Sequence, residues 1–344
     1  MNCTHPLDLR KHPQLLYNRD LRLFQQVRLS YYLNDRTVTN DRAKRLLLHD
    51  RGRGLVTAST DIGKALERLE RIDPDVIVIT ATYNRLPRLE KLYESIFSQR
   101  FPGTIAWVVI ENGSSDGTGA VLRQWAKYAE IVYLEYLCPF GYAAPARNRG
   151  VAFVQFASRH RSRPRFIWII DSDDYIHNEF AIHELHLAAL RHPSTMTHGY
   201  TICRYHDRTG HQVAVGTIPR DFAPGFPAVP ALKEEFDLGP QILSALVPLD
   251  EIPYLYYPNE FTMEDDALSR RMMAVTMKRR LKITPIMFPC LVKTFHFDSM
   301  SGTNSLIGNQ ESKMRLGPVY VTGARAQVVR GLLHMRDYFT REGV

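Results

Sequence analysis

Four short runs rich in β-branched and aromatic residues punctuate the middle of the chain: Val76 to Thr80, Ile105 to Ile110, Ile131 to Leu134 and Phe166 to Ile170. Runs this short and this continuously apolar predict strands buried on both faces of a parallel sheet. Between them lie stretches with helical spacing. Leu89, Leu92, Tyr93, Ile96 and Phe97 share one face, and a second helix runs on to Trp125 and Tyr128. A third contains Arg147-Asn148. Strand and helix thus alternate, which predicts an α/β protein with a doubly wound, mostly parallel sheet and ligands at the carboxyl ends of its strands. Further helices are expected over Glu179 to Leu190, Phe261 to Met277 and Gly317 to Tyr338, and a proline-rich loop over Pro219 to Pro230.

Upstream, Asp61 to Ile72 puts Ile62, Ala65, Leu66 and Leu69 on one helical face, and Asp73-Pro74 ends it. Residues 1–73 read as a helical N-terminal extension, 74–305 as the main domain and 306–344 as a helical tail. The extension carries 14 Lys/Arg against 9 Asp/Glu, most of the chain's formal net charge of +8. A second basic cluster runs from Arg159 to Arg165. Such a balance suits an anionic partner: a nucleoside diphosphate, an anionic membrane surface or nucleic acid. A solvated basic face is the plainer alternative. No apolar run reaches the roughly 20 residues that span a bilayer, and Met1 to Asp20 has no signal-peptide core, so a cytoplasmic protein is expected. The four cysteines are far apart and read as free thiols.

Candidate chemistry collects where strands end. Phe166-Ile167-Trp168-Ile169-Ile170 runs into Asp171-Ser172-Asp173-Asp174. Carboxylates clustered there repel one another unless a cation is present, and hard oxygen ligands suit Mg²⁺ or Mn²⁺ shared with substrate phosphates. A loop that merely caps the next helix is the alternative. The first strand ends in Thr82-Tyr83-Asn84-Arg85, with no G-x-G-x-x-G after it, which argues against a dinucleotide-binding domain. The second ends in Glu111-Asn112-Gly113-Ser114-Ser115-Asp116-Gly117-Thr118, where Asp116 can cap the following helix. Gly141 to Gly150 holds Pro145 and Arg147 near a helix start, Glu264-Asp265-Asp266 opens another helix, and His296-Phe297-Asp298-Ser299-Met300-Ser301 follows an apolar strand.

In this order the motifs resemble family 2 glycosyltransferases of the GT-A fold, over about Asp75 to Ser301. The resemblance implies transfer of a sugar, with inversion, from a nucleotide-diphosphate donor to an acceptor hydroxyl. A UDP-sugar is the first expectation, from family frequency. It implies that Thr82, Tyr83, Asn84, Arg85, Glu111, Asn112, Asp116, Gly141, Arg147, Asp171 and Asp174 bind the donor. Asp173 and His296 would hold Mn²⁺ or Mg²⁺, and Asp265, with Glu264 and Asp266 as substitutes one residue to either side, would be the general base. A glycan or lipid-linked acceptor is expected ahead of nucleic acid, with peripheral contact to anionic membrane. The rival reading from another class is a catalytically silent GT-A-like module that binds nucleic acid or a protein partner.

Overall fold

The computed structural model describes residues 39, 41, 43–44, 62–136, 143–158, 165–206, 212–218, 242–257, 265, 268–269, 271–272, 275–276, 279 and 281–295. Helix α1 (Ile62–Ile72) leads into β1 (Val76–Thr82), α2 (Leu86–Phe97), β2 (Ile105–Glu111), α3 (Thr118–Trp125), β3 (Ile131–Glu135), α4 (Ala143–Ala157) and β4 (Phe166–Ile169). There follow β5 (Tyr175–Ile176), α5 (Ala181–Arg191), β6 (Met196–His206), β7 (Gln212–Ile218), a 3₁₀ turn (Ile242–Ser244), β8 (Ala245–Pro248), a second 3₁₀ segment (Leu249–Tyr254) and β9 (Ile283–Phe295). The sheet order is β3-β2-β1-β4-β8-β6-β9-β5, with β7 on β6. Strands β1 to β4 are mutually parallel, as the continuous apolar runs predict, and helices flank the sheet.

Period-two alternation sorts the helices onto opposite faces of the parallel strands. Trp107 of β2 meets Tyr93 and Phe97 of α2, and its indole N–H donates to Thr80 Oγ1 at 3.0 Å. Ile110, an odd number of positions along, faces α4 instead. A Cβ on Gly150 of α4 would stand 2.4 Å from Ile110 Cδ1 and 2.7 Å from Ile79 Cγ2. This glycine therefore lets α4 lie close on the sheet. Arg147, one turn earlier in the same helix, is brought to the sheet's carboxyl edge. Trp168 of β4 is fully buried, with its indole N–H satisfied by the Leu243 carbonyl at 2.6 Å. Burial without that bond would leave a costly orphaned donor.

Helix α1 belongs to the same core. Ile62, Ala65 and Leu69 are buried, Leu66 packs beside them, and Arg68 bonds the carbonyls of Ala126, Ala129 and Ile131. Residues 1–61 of the extension, except 39, 41, 43 and 44, lie outside the described residues, as do the 219–230 loop and the tail from 306. Cys203 and Cys290 are free and buried; Cys3 and Cys138 lie outside the described residues. Arg165 corrects the reading of the Arg159 to Arg165 cluster as a surface patch. It is buried, and its guanidinium is held by the Asp73 carboxylate and the Pro74 carbonyl, so its charge is spent on the α1–β1 corner. Its neighbours 159–164 are outside the described residues. No helix among the described residues is long and apolar enough to cross a membrane.

The mixed half of the sheet, β8-β6-β9-β5, drew only a partial expectation from sequence. Strand β9 runs parallel to β6 and contains Pro285 and Pro289, which cannot donate ladder bonds. The register shifts between His198 and Tyr200 and again by Thr201. Gly199 sits in that irregularity, where a Cβ would fall 2.2 Å from Cys290 Sγ. Beyond the bulge, pairing resumes with Cys203 opposite Lys293, and β5 pairs Tyr175 with Val292. This pairing lays β9 alongside the acidic turn that follows β4.

Candidate active site

Two of the neighbouring strand ends carry a lattice of backbone amides bonded to side-chain oxygens. The Asn112 amide donates to the Thr82 carbonyl at 2.9 Å, extending the β1–β2 ladder. Asn84, in a left-handed conformation with φ 49°, donates its amide to Ser114 Oγ at 2.9 Å and accepts the Ser115 N–H on Oδ1 at 2.8 Å. The buried Glu111 accepts the Ser114 N–H. Asp116 receives the Thr118 N–H at 3.0 Å, the Thr118 hydroxyl, and the Leu86 N–H at 3.1 Å. It thus anchors the first turns of both α2 and α3, one residue earlier than a standard cap, because Gly117 with φ 91° stands at the cap position. These bonds hold the Asp116 carboxyl below the usual carboxylate range, against the upward push of burial. Thr82 is buried, and Tyr83 is half exposed at the mouth.

The third end is charged. Asp171, Asp173 and Asp174 each bring an oxygen to within 4.8 Å of the others. Arg147 reaches in from α4. Its Nη2 pairs with Asp171 Oδ1, and its Nη1 lies 3.1 Å from Asp265 Oδ1. The guanidinium also lies over the Tyr257 ring, 5.0 Å from its centroid. The neighbouring Asn148 fixes that tyrosine's backbone on both sides, donating to its carbonyl at 2.8 Å and accepting its N–H at 2.6 Å. Arg85, just past β1, places Nε 3.8 Å from Asp173 Oδ2. Because β2 and β4 lie on opposite sides of β1, this contact crosses the topological switch point, where ligands of open α/β sheets bind.

Sequence reasoning missed Lys293. From β9 its ammonium lies 3.4 Å from Asp171 Oδ2 and 3.6 Å from Asp174 Oδ2. The neighbouring Thr294 N–H donates to Asp174 Oδ1 at 2.9 Å. A lone lysine in the otherwise apolar Ile283–Phe295 segment was the available signal. Clustered carboxylates need a cation nearby, and Lys293 with Arg147 supplies part of that counter-charge from the chain itself.

The carboxylates divide accordingly. Burial would raise Asp171, but Arg147 and Lys293 together hold it below the usual range. Asp173 is pushed up by burial and by the charge of Asp171. Asp174 is driven well above the ordinary range by burial, with Asp173 and Asp171 adding to the effect despite Lys293. Burial alone would depress Lys293, yet the carboxylates of Asp174, Asp171, Asp265 and Asp173 raise it instead. Asp174 is nearly inaccessible and tied to β9, so its carboxylate orders the turn. Of the remaining expected residues, Gly141, Glu264, Asp266 and His296 lie outside the described residues.

Residues 77–262, just over half of the chain, match the model of glycosyl transferase family 2. The chain belongs to that family. It is 32% identical over 103 residues to TuaG of Bacillus subtilis (strain 168), a glycosyltransferase assigned to teichuronic acid biosynthesis. That match covers 29% of this chain and only 36% of the length of the relative. Among solved structures it is similar to S. aureus TarS 1-349, with 15% identity, a TM-score of 0.45, and coverage of 75% of this chain and 70% of that one. It is also similar to the mannosyltransferase PcManGT of Pyrobaculum calidifontis in complex with GDP-Man and Mn²⁺. There the identity is 16%, the TM-score 0.39, and the coverage 86% and 84%.

The oxygen donors at this turn fit a hard divalent ion. Asp174 Oδ2 is buried with no hydrogen-bond partner, and Asp173 has only the long Arg85 contact as an ion pair among the described residues.

Proposed function

We propose that this family 2 glycosyltransferase is a metal-dependent, inverting enzyme that moves a hexosyl unit from a nucleotide-diphosphate donor, a UDP-sugar first, to an acceptor hydroxyl. One observation carries the reading: Arg147 joins Asp171, on the strand end beside the switch point, to Asp265 on a separate helix. Donor-side and acceptor-side carboxylates then share one buried cation.

The loop of Asn84, Glu111 and Asn112 receives the nucleoside, with Tyr83 at its mouth. Asp171, oriented by Arg147 and Lys293, faces the ribose or sugar. Asp173 holds Mn²⁺ or Mg²⁺, which, when bound, offsets the charge that develops on the departing diphosphate. Asp265 accepts the proton of the acceptor hydroxyl. The oxygen so released forms its bond to the anomeric carbon from the face opposite the donor phosphate, and the old C–O bond breaks with its electron pair going to the nucleoside diphosphate. The contact with Arg147 fixes the direction of the Asp265 carboxylate. We assign the acceptor to glycans or lipid-linked glycans, and the enzyme to the cytoplasm with peripheral contact to anionic membrane.

The test is a panel of nucleotide sugars scored for donor hydrolysis and transfer. One donor should be turned over in a Mn²⁺- or Mg²⁺-dependent way. Asp265→Asn should lower turnover on that donor by roughly 10²-fold or more while leaving nucleotide affinity within a few-fold of native. Full transfer activity in that variant means that the base lies elsewhere.

A further inference from the structure

Lys293 is a cation built into the place where the acidic cluster meets β9. Four carboxylates, Asp171, Asp173, Asp174 and Asp265, are linked by ion pairs to three cations, Arg85, Arg147 and Lys293. Counted formally as ionised and among the described residues, these groups sum to −1. Both oxygens of Asp171 are engaged, one by Arg147 and one by Lys293. Asp174 Oδ1 accepts the Thr294 N–H, and Oδ2, which makes no hydrogen bond, faces the Lys293 ammonium at 3.6 Å. Only Asp173 is left with a single, long partner. A divalent ion arriving alone meets one available carboxylate and leaves the cluster at +1. Arriving with a diphosphate, it brings compensating negative charge and further oxygen ligands.

We infer that Lys293 is a positioning residue that withholds Asp171 and Asp174 from the metal, so that the ion binds with the donor diphosphate and poorly without it. This rests on the reading of Asp173 as the metal ligand. Without the ammonium the same groups sum to −2, the charge that one divalent ion neutralises. Two carboxylates would then be free to turn toward it.

The experiment is calorimetric titration of Mn²⁺ into the full chain, with and without UDP, in native protein and in Lys293→Met. Mn²⁺ alone should bind Lys293→Met at least roughly tenfold more tightly than native, given the strength of a unit charge at this range. The gain from UDP should shrink in the variant. Lys293→Arg, which keeps the charge, should bind Mn²⁺ alone as weakly as native, an outcome that a merely structural lysine would not give. If Lys293→Met does not fold, Lys293→Gln, which keeps donors to both carboxylates, carries the same expectation. A folded neutral variant whose affinity for Mn²⁺ alone is unchanged overturns the inference. If Asp173→Ala abolishes UDP-coupled Mn²⁺ binding in the same series, the metal reading survives that failure. If Asp173→Ala leaves the coupling intact, both fall.

Discussion

The two halves of the sheet solve opposite problems. In the parallel half, the loops after β1 and β2 are stitched by hydrogen bonds in which Asn84, Ser114 and Asp116 satisfy backbone amides. Most of their polar capacity is used locally. The mixed half instead sends one charged side chain, Lys293, across to carboxylates presented by the turn after β4. The first arrangement is robust, because losing one such hydrogen bond costs little. The second is vulnerable, because each charge is buried on condition that its partners stay. The loops after β1 and β2 are thus firmly held, while the acidic turn after β4 rests on a balance of charges that ligands can tip.

Removing Arg147 tests that vulnerability most severely. Arg147→Met should destabilise the protein by about 3 kcal/mol or more, since Asp171 and Asp265 lose a common buried partner. Urea unfolding of native and variant would measure it. A cost below about 1 kcal/mol would mean that the cluster is wetter and less coupled than its burial implies.

The mixed half should also show itself on acidification. His198 of β6 is buried, and burial lowers its pKa from 6.5 to about 4, with Nδ1 3.3 Å from the Gly199 carbonyl. It is neutral when folded, so protons favour the unfolded chain. Its contribution to stability is complete above about pH 6.5 and is lost as pH falls toward 4, about 3 kcal/mol over that window at 1.36 kcal/mol per unit. The difference between the pH–stability curves of native protein and His198→Gln isolates this group from the carboxylates. Parallel curves would exclude it.

The smallest effect belongs to the parallel half. Asp116→Ala removes acceptors from the first turns of α2 and α3 and should cost about 1 kcal/mol, as cap losses do. A loss comparable to that of Arg147→Met would erase the distinction between the halves.

This division also explains what could be read in the sequence. Strands β1 to β4 were legible because both faces are buried, so their apolar runs are unbroken, and the polar turns that follow them are local. Arg147 and Asp171 were nameable for the same reason. Strand β9 was harder to place, because Pro285 and Pro289 argue against a strand and its register against β6 shifts around Gly199. Lys293 could not be paired with Asp171, 122 residues earlier, before β9 was laid beside β5. The repulsion among the three aspartates was correctly anticipated, but the nearest cations proved to be side chains of the chain itself.

The most direct test of the account is the affinity of UDP for native protein and for Asp173→Ala, with and without Mn²⁺. Native protein should bind UDP roughly tenfold or more tightly when Mn²⁺ is present, and Asp173→Ala should bind it equally with and without the ion. Equal UDP–Mn²⁺ affinity in the two proteins would contradict the assignment of Asp173 to the metal.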